Sequence, residues 1–343
     1  MIKVALLSRW HVHADEYAGY AKENANVEVV KVWDEQEHRG RKWAEELGVD
    51  FEWNLEKVIT DPAIDAVMVA SPTSMHNEII LSAVTVGKHI FTEKVLAFTV
   101  KECMEIYEAV EKNKVKLMVS LPRLMEPYFL YVHEAIQNGL VGRINTIRCK
   151  VAHDGALPSE THPNGWLPAS FFDEHLCGGG AFIDFGAHPI YLTNRLGGEV
   201  KHVSANLSKF ANDKVDDHAV VIVEYESGVI GILEASFVTR KSPFILEIFG
   251  TEGTILVEDS HVKIRSTKLN DGQWLEPELP KKRPMAFTQW VESILNEREP
   301  DIKKEDVVRL TELNELAARS HQEGRRIFRN ERVSLEKEKV DFC

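Results

Sequence analysis

Cysteine is scarce in this 343-residue sequence, and the few that occur are scattered. Cys103, Cys149, Cys177 and Cys343 form no Cys-x-x-Cys pair, so we expect free thiols in a reducing compartment rather than a disulfide framework. The apolar run at residues 2–7 is too short for a signal sequence, and no run approaches the length of a membrane span. The sequence therefore predicts a cytoplasmic protein without membrane contact.

Clustered positive charge is also missing. Lys and Arg total 41 against 54 Asp and Glu, which gives a formal net charge of −13. The short basic run at 281–283 lies between Pro280 and Pro284 and is typical of a solvated loop. Since a nucleic-acid binder needs a strong local basic patch, we do not expect that partner and instead expect a small molecule.

The chain is long enough for two domains, and its pattern changes near residue 122. Residues 1–121 alternate between short apolar runs and amphipathic stretches, which predicts a doubly wound parallel sheet with helices on both faces. Gly48 and Gly87 follow two of the predicted helices, where left-handed caps belong. The predicted strands are 2–7, 27–32, 66–70, 89–91 and 116–120, and the predicted helices are 14–24, 39–47, 55–60, 77–86 and 100–112.

Residues 122–343 predict an α+β domain. Their strands alternate apolar and polar residues, which favours a large, open-faced, mainly antiparallel sheet. Its free face is a candidate surface for a homodimer or homotetramer, and the C-terminal helices could pack back on the first domain. The predicted strands are 144–152, 202–209, 219–226, 229–237, 244–249, 254–257 and 262–264, with helices at 126–137, 287–296 and 305–323.

Two segments contain residues suited to acid–base chemistry. Gly178–Gly180 precede Asp184 and His188, which lie one turn apart if the segment is helical, so the carboxylate could orient the imidazole and raise its basicity. A glycine loop leading into a helix, with the aspartate near the positive end of the dipole, explains the same spacing. Lys94 follows a predicted strand, where it could donate to a substrate oxygen or be an ordinary surface lysine.

Together these segments resemble the Gfo/Idh/MocA family of dehydrogenases over nearly the whole chain. The resemblance implies an N-terminal Rossmann domain and hydride transfer between NAD(P) and a hydroxyl or keto group of a sugar, cyclitol or related polyol. It also implies that His188 takes the alcohol proton, Asp184 orients it and Lys94 hydrogen-bonds the reacting oxygen. Arg123 also matches the family and is expected near the substrate. The other matching residues, expected near the cofactor, are Ser71, Pro72, Thr73, His76 and Glu93.

The first turn departs from the dinucleotide-binding pattern, because no glycine occurs before Gly19. Either backbone N–H groups still bind the pyrophosphate with side-chain help, or the site has degenerated and the protein is a sensor or binding protein. His11 and His13 could suggest a metal site, but without a third ligand at a set spacing we expect capping and packing and no metal. The residues expected at the cofactor in this turn are Ser8, Arg9, Trp10, His11 and His13.

Two further positions affect the cofactor prediction. Asp34 ends the second strand, where a carboxylate accepts from the adenosine ribose and repels a 2′-phosphate, so NAD is favoured over NADP. Arg39 and Arg41 complicate that preference, and Asp34 could instead be a helix N-cap. Val95 replaces the family's proline after Lys94, and a cis bond before valine costs ~3 kcal/mol, so the placement of Lys94 is expected to differ slightly.

The loop 153–166 is punctuated by proline and glycine and is predicted to contribute to substrate specificity. His153, His162 and Trp166 are the candidate contacts there, together with Arg123. Trp166 could stack on a sugar ring or pack in the core. Three functions stay open: a polyol dehydrogenase, an enzyme that uses tightly bound NAD for transient sugar oxidation, and a non-catalytic sensor.

Overall fold

The computed structural model describes residues 1–331, so Cys343 lies outside the described residues. Its N-terminal half is a six-stranded parallel sheet of order β3-β2-β1-β4-β5-β6. The elements are β1 (Ile2–Leu7), α1 (Ala14–Glu23), β2 (Val27–Trp33), α2 (Glu37–Leu47), β3 (Asp50–Phe51), α3 (Leu55–Thr60), β4 (Ala66–Val69), α4 (Thr73–Thr85), β5 (His89–Thr92), α5 (Val100–Asn113) and β6 (Leu117–Val119).

Strands β1, β4 and β5 are almost continuously buried, as expected of parallel strands covered on both faces. The strand order reverses between β1 and β4, and the crevice outside the carboxyl ends of such strands is where these folds bind ligands. Ser8, Asp34, Ser71 and Glu93 all follow strand ends at that edge. The predicted doubly wound sheet is confirmed, and only the two-residue strand β3 was not anticipated.

The second half is built on an eight-stranded sheet of order β13-β12-β11-β7-β10-β9-β8-β14. All its neighbours are antiparallel except β7 and β10, so the mainly antiparallel prediction is confirmed. The elements are α6 (Pro127–Gln137), β7 (Ile144–Ala152), α7 (Glu174–Cys177), α8 (Ala181–Asp184), α9 (Ala187–Gly197), β8 (Val200–Ser208), β9 (His218–Tyr225), β10 (Ile230–Ser236), β11 (Ile245–Gly250), β12 (Gly253–Glu258), β13 (His261–Ser266), α10 (Ala286–Asn296), α11 (Lys304–Glu323) and β14 (Ile327–Phe328).

Helices α9 and α11 cover one face of this sheet. The opposite face leaves Val220, Ile222 and Ile230 exposed, so the sheet is open-faced as predicted. The sequence suggested a helix after the glycine run without giving its bounds, and α9 lies there. Asp184 ends α8 and His188 lies in α9, but Phe185 and Gly186 between them keep right-handed helical dihedrals, so the segment is helical with one interruption.

Helix α10 returns to the first half of the chain and packs on the parallel sheet. Phe91 of β5 meets Phe287 at 5.6 Å and Trp290 at 5.7 Å between ring centroids, and Trp290 is fully buried. The N-terminal sheet is thus completed by residues from the end of the chain, while a domain boundary at residue 121 stays a prediction. Within residues 1–331, no helix is both long and apolar enough to cross a membrane.

We expect Trp290→Ala to lower the free energy of unfolding by about 3–5 kcal/mol, because it leaves a cavity between α10 and the parallel sheet. Urea denaturation followed by circular dichroism measures the loss. Trp274→Ala is the matched control, since Trp274 is 45% exposed and should cost much less. Equal losses in the two variants would show that α10 does not stabilise the sheet.

Candidate active site

Lys94 and Asp184 form an ion pair between the two halves of the chain. Lys94 follows β5, and its Nζ lies 2.5 Å from Asp184 Oδ1 and donates to the Asp184 carbonyl at 2.9 Å. Burial would lower the pKa of Lys94, but the charges of Asp184 and Glu93 outweigh it and the pKa is raised. The lysine is therefore a protonated donor held at the carboxyl edge of the sheet. The Lys94–Val95 peptide is cis, the geometry that the valine had argued against.

His188 lies nearby but is oriented by a different residue from the one predicted. Its Nδ1 is 2.8 Å from the Tyr191 hydroxyl, one turn along α9, and that hydroxyl also accepts the Arg123 N–H at 3.2 Å. Burial, followed by the charges of Arg123 and Lys94, holds the pKa of His188 well below its usual range. The expected Asp184–His188 contact and raised basicity are wrong, because Asp184 is engaged by Lys94.

The glycine run is required by a close backbone approach to Asp216. The Gly180 and Phe182 N–H groups donate to the Asp216 carboxylate at 2.9 and 2.8 Å, and a Cβ on Gly180 would lie 1.8 Å from the Asp216 carbonyl oxygen. This contact fixes α8 and therefore the position of Asp184. Sequence reasoning missed Asp216, because it lies 36 residues from Gly180 and no spacing relates them.

The first turn keeps the shape of a glycine turn with other side chains. Ser8 adopts a φ of 75°, the left-handed conformation expected of glycine, and its Oγ accepts the Trp10 N–H at 3.0 Å. The Trp10 ring stacks on Phe171 from the second half, at 4.9 Å and an interplanar angle of 9°. The cavity between these rings and Lys94 has a volume of only about 20 Å³. This space suits one water molecule and not a nicotinamide ring.

Asp34 is fully buried and both its oxygens are occupied. Arg39 donates to both of them at 2.9 and 2.8 Å, and the N–H groups of Arg9 and Gln36 donate at 2.9 and 2.7 Å. Gln36 occupies the N-cap position of α2, without a capping hydrogen bond from its side chain, so the N-cap alternative for Asp34 is wrong. Arg41 pairs with Glu37 instead and does not complicate this carboxylate.

The guanidinium of Arg9 is turned away from Asp34. It forms ion pairs with Asp15 at 2.8 Å and with Glu46 at 2.7 Å. Two carboxylates therefore stand beside the Arg9 side chain, which was predicted to help hold the cofactor. In this conformation Arg9 offers only its backbone to the first turn.

The segment after β4 forms internal contacts. His76 is buried, and its ring nitrogens lie 3.1 Å from the Ser71 carbonyl and 3.0 Å from the Val95 carbonyl. His76 thus joins the end of β4 to the Lys94–Val95 segment and has no free ring nitrogen for a cofactor. Pro72 precedes α4, and Thr73 lines the small cavity beside Lys94.

Glu93 is a buried carboxylate surrounded by polar groups. Its Oε1 lies 2.8 Å from His13 Nδ1 and 3.5 Å from His11 Nδ1, while its Oε2 accepts from Tyr17 at 2.5 Å and from the Lys94 N–H at 3.1 Å. Burial would raise the pKa of Glu93, but His11, His13 and Lys94 hold it well below its usual range. Glu93 thus supplies a third group beside His11 and His13, although no set spacing in the sequence relates it to them.

The four candidate substrate residues are only partly brought together. The His153 ring stacks on the Phe237 ring with 4.8 Å between centroids. The centroid of the Trp166 ring lies 4.7 Å from that of His153. Trp166 is 45% exposed, so it is not a core residue. His162 is exposed and contacts Thr161 within the loop, away from this aromatic cluster.

Arg123 is linked to His188 through the Tyr191 hydroxyl and does not join the aromatic cluster of the loop. Its N–H donates to the Tyr191 hydroxyl, and its guanidinium donates to the Tyr128 hydroxyl at 3.2 Å and covers the Phe244 ring at 4.6 Å. Sequence reasoning missed Tyr191, Tyr128 and Phe171. For Tyr191 a signal existed, because a residue three positions after His188 lies on the same helix face.

Two models of known protein families match most of the chain. Residues 10–121 match an oxidoreductase family with an NAD-binding Rossmann fold, and residues 129–256 match the GFO/IDH/MocA C-terminal domain. The scyllo-inositol 2-dehydrogenase (NAD(+)) of Bacillus subtilis (strain 168) is 31% identical over 257 residues, covering 71% of this chain and 70% of that protein. The chain belongs to the Gfo/Idh/MocA family. The predicted family, Rossmann domain and oxidoreductase class are thereby confirmed.

Relatives in this family differ in their cofactors. The scyllo-inositol 2-dehydrogenase (NADP(+)) IolU of Bacillus subtilis (strain 168) is 25% identical and covers 89% of this chain and 91% of that protein. A solved levoglucosan dehydrogenase in complex with NADH and levoglucosan superposes with a TM-score of 0.80 at 22% identity, covering 96% of this chain and 100% of that one. The structural likeness shows the shared fold of this Gfo/Idh/MocA protein.

We expect the first turn of this family member to lose stability in acid. Burial lowers the pKa of His11 from 6.5 to about 4, so the unfolded chain binds more protons between these values. The contribution of the neutral buried imidazole is present above pH 6.5 and falls by about 3 kcal/mol as pH drops towards 4. Urea midpoints across this range should fall less steeply for His11→Gln than for the wild type. Exposed His38 provides the control, and His38→Gln should match the wild type.

Proposed function

We propose that this protein is an NAD(P)-dependent oxidoreductase that transfers hydride at a hydroxyl or keto carbon of a sugar, cyclitol or related polyol. The observation that carries the proposal is the buried Lys94–Asp184 ion pair at the carboxyl edge of the Rossmann sheet. A charged donor beside a neutral imidazole suits a carbon–oxygen centre that loses or gains a proton. The inositol and levoglucosan named for the relatives belong to this substrate class.

The described residues divide the work on the substrate as follows. Lys94, held by Asp184, donates a hydrogen bond to the reacting oxygen. His188 is neutral because its pKa is depressed, so it has the lone pair that accepts the alcohol proton, although the same depression makes it a weaker base than a free imidazole. Tyr191 orients it in place of Asp184. A bound nicotinamide supplies the hydride acceptor. Arg123, His153 and Trp166 are proposed to contact the rest of the substrate.

The small cavity requires a conformational change before this chemistry can occur. A nicotinamide ring cannot enter about 20 Å³, so dinucleotide binding requires the Trp10 ring to leave Phe171. Opening costs the stacking contribution of about 0.5–1.5 kcal/mol together with the exposure of the apolar area that the two rings bury. We further propose NAD rather than NADP, because the Asp34 carboxylate repels a 2′-phosphate even though Arg39 partly neutralises it.

The free face of the eight-stranded sheet is the proposed oligomer surface. Its exposed Val220, Ile222 and Ile230 would be covered in a homodimer or homotetramer. Size-exclusion chromatography with light scattering measures the subunit number.

The cytoplasmic location is proposed from the scattered cysteines, and cell fractionation tests it.

The second candidate function is a non-catalytic sensor on the same fold. It is favoured by the full occupation of Asp34 and by the closed cavity beside Lys94. Such a protein would bind a polyol without binding a dinucleotide. The two functions therefore differ in one measurable property.

Calorimetric titration with NAD and NADP separates these functions. We expect NAD to bind, and Trp10→Gly to bind it at least about 2-fold more tightly, because the stack no longer has to open. Trp274→Gly, at an exposed position, should bind like the wild type. Absence of binding in both the wild type and Trp10→Gly would favour the sensor. Nicotinamide already bound after purification would instead indicate transient oxidation with a retained cofactor.

Replacement of the proposed acid–base groups should reduce turnover. With a panel of inositols and levoglucosan monitored for NADH, we expect Lys94→Met and His188→Gln each to lower kcat by about 10²- to 10⁴-fold. Lys281→Met changes an exposed lysine and is the matched control. If both variants keep wild-type kcat on a substrate that the wild type oxidises, the assignment of these residues is wrong.

A further inference from the structure

We propose that His11, His13 and Glu93 form a binding site for a divalent transition-metal ion, for which Zn²⁺ is the best match. The site lies in the first turn, where the family's glycines are replaced, and it was not expected from the sequence. The proposal does not depend on the proposed dehydrogenase activity. It rests on the geometry, chemical type and accessibility of three side chains.

The distances suit a small metal ion. The ligand atoms of His11, His13 and Glu93 all lie within 4.8 Å of one another. Zinc bonds of about 2.0–2.2 Å at a tetrahedral angle place neighbouring ligand atoms roughly 3.4 Å apart. The observed separations from Glu93 Oε1 are 3.5 Å to His11 Nδ1 and 2.8 Å to His13 Nδ1. The His11 and His13 ligand atoms are bounded only at 4.8 Å, so these two rings would have to approach each other to roughly 3.4 Å to admit the ion.

The Nδ1 of His11 carries no proton, because it accepts the backbone N–H of His13 at 3.2 Å. An ion would take the single lone pair that now accepts this long hydrogen bond. Neutral imidazole and carboxylate are together a donor set that zinc prefers. A divalent ion would also neutralise the Glu93 carboxylate, whose side chain is only 2% exposed.

A neighbouring hydroxyl holds the carboxylate in place. Tyr17 donates to Glu93 Oε2 at 2.5 Å, which leaves Oε1 facing the two histidines. Metal-ligating carboxylates usually have such a hydrogen-bonded partner. Tyr17 lies in α1, four residues after the N-cap residue His13. The first turn of α1 therefore holds both the ligand His13 and the hydroxyl that positions the ligand Glu93.

The site can exchange an ion with solvent and leaves a coordination position free. The His13 side chain is 38% exposed, which gives an entry path. Three protein ligands leave the fourth tetrahedral position for water or a substrate oxygen. His11 also lines the cavity of about 20 Å³ that contains Lys94 and Asp184, and this cavity holds one water molecule. The ion would thus lie beside the candidate active site.

The direct test is titration of the purified full-length chain with Zn²⁺ after removal of metals by a chelator, without substrate or dinucleotide. We expect one tightly bound Zn²⁺ per chain by elemental analysis. Co²⁺ should give the visible absorption of a tetrahedral ion with nitrogen and oxygen ligands, while Mg²⁺ should not compete.

Variants assign the bound ion to these residues. His13→Gln and Glu93→Gln should weaken Zn²⁺ binding by more than about 100-fold, and Tyr17→Phe by about 10-fold. The chain has 14 histidines, so His162→Gln, at an exposed loop residue, controls for adventitious binding and should not change affinity. Circular dichroism checks folding, and His13→Gln carries the test if Glu93→Gln does not fold.

Two outcomes would overturn the proposal. One is a wild-type chain that binds no Zn²⁺, which would make the cluster a set of hydrogen bonds only. The other is binding that His13→Gln leaves unchanged, which would place the ion elsewhere. Neither outcome affects the calorimetric test of NAD, so failure of the metal site and failure of the proposed function are distinguishable.

Discussion

The ammonium of Lys94 lies 2.5 Å from a carboxylate that belongs to the other half of the chain, and this contact joins the two halves at the candidate active site. The Lys94 side chain is only 4% exposed, so its charge depends on Asp184 for compensation, while the Asp184 side chain is 21% exposed. Removing one partner of a fully buried pair typically costs about 3–5 kcal/mol, and we expect a smaller loss for this partly exposed pair. Asp184 in turn depends on Asp216, whose carboxylate fixes the glycine run, so residues from three separate segments define one position.

The contacts of the first turn differ from those that a dinucleotide-binding site requires. A dinucleotide site needs space for the pyrophosphate and a free carboxylate for the ribose, whereas here Trp10 closes the cleft on Phe171 and Arg39 covers Asp34. The same substitutions bring His11 and His13 to the buried Glu93. The turn without glycines therefore places side chains that can coordinate a metal, His11 and His13, beside Glu93. The proposed metal site and the proposed opening of the cleft both arise from this one exchange of residues.

Much of the fold followed from the sequence because it depends on local patterns. Apolar runs of strand length separated by amphipathic helices specify the parallel sheet, and alternation specifies the open sheet. Lys94, Asp184 and His188 were found because they lie in recognisable segments. Their partners were not, since Tyr191 replaces Asp184 beside His188 and Phe171 covers Trp10. The Glu93 cluster was missed for the same reason: its histidine and carboxylate ligands are 80 residues apart, and only the parallel sheet brings them together.

We infer that the cleft beside Lys94 opens to hold a nicotinamide dinucleotide. A crystal structure of the chain grown with saturating NAD tests this opening. We expect the Trp10 ring to have left Phe171 and the nicotinamide to lie next to Lys94 and His188. A structure with the Trp10–Phe171 stack intact and no dinucleotide in the cleft would contradict it.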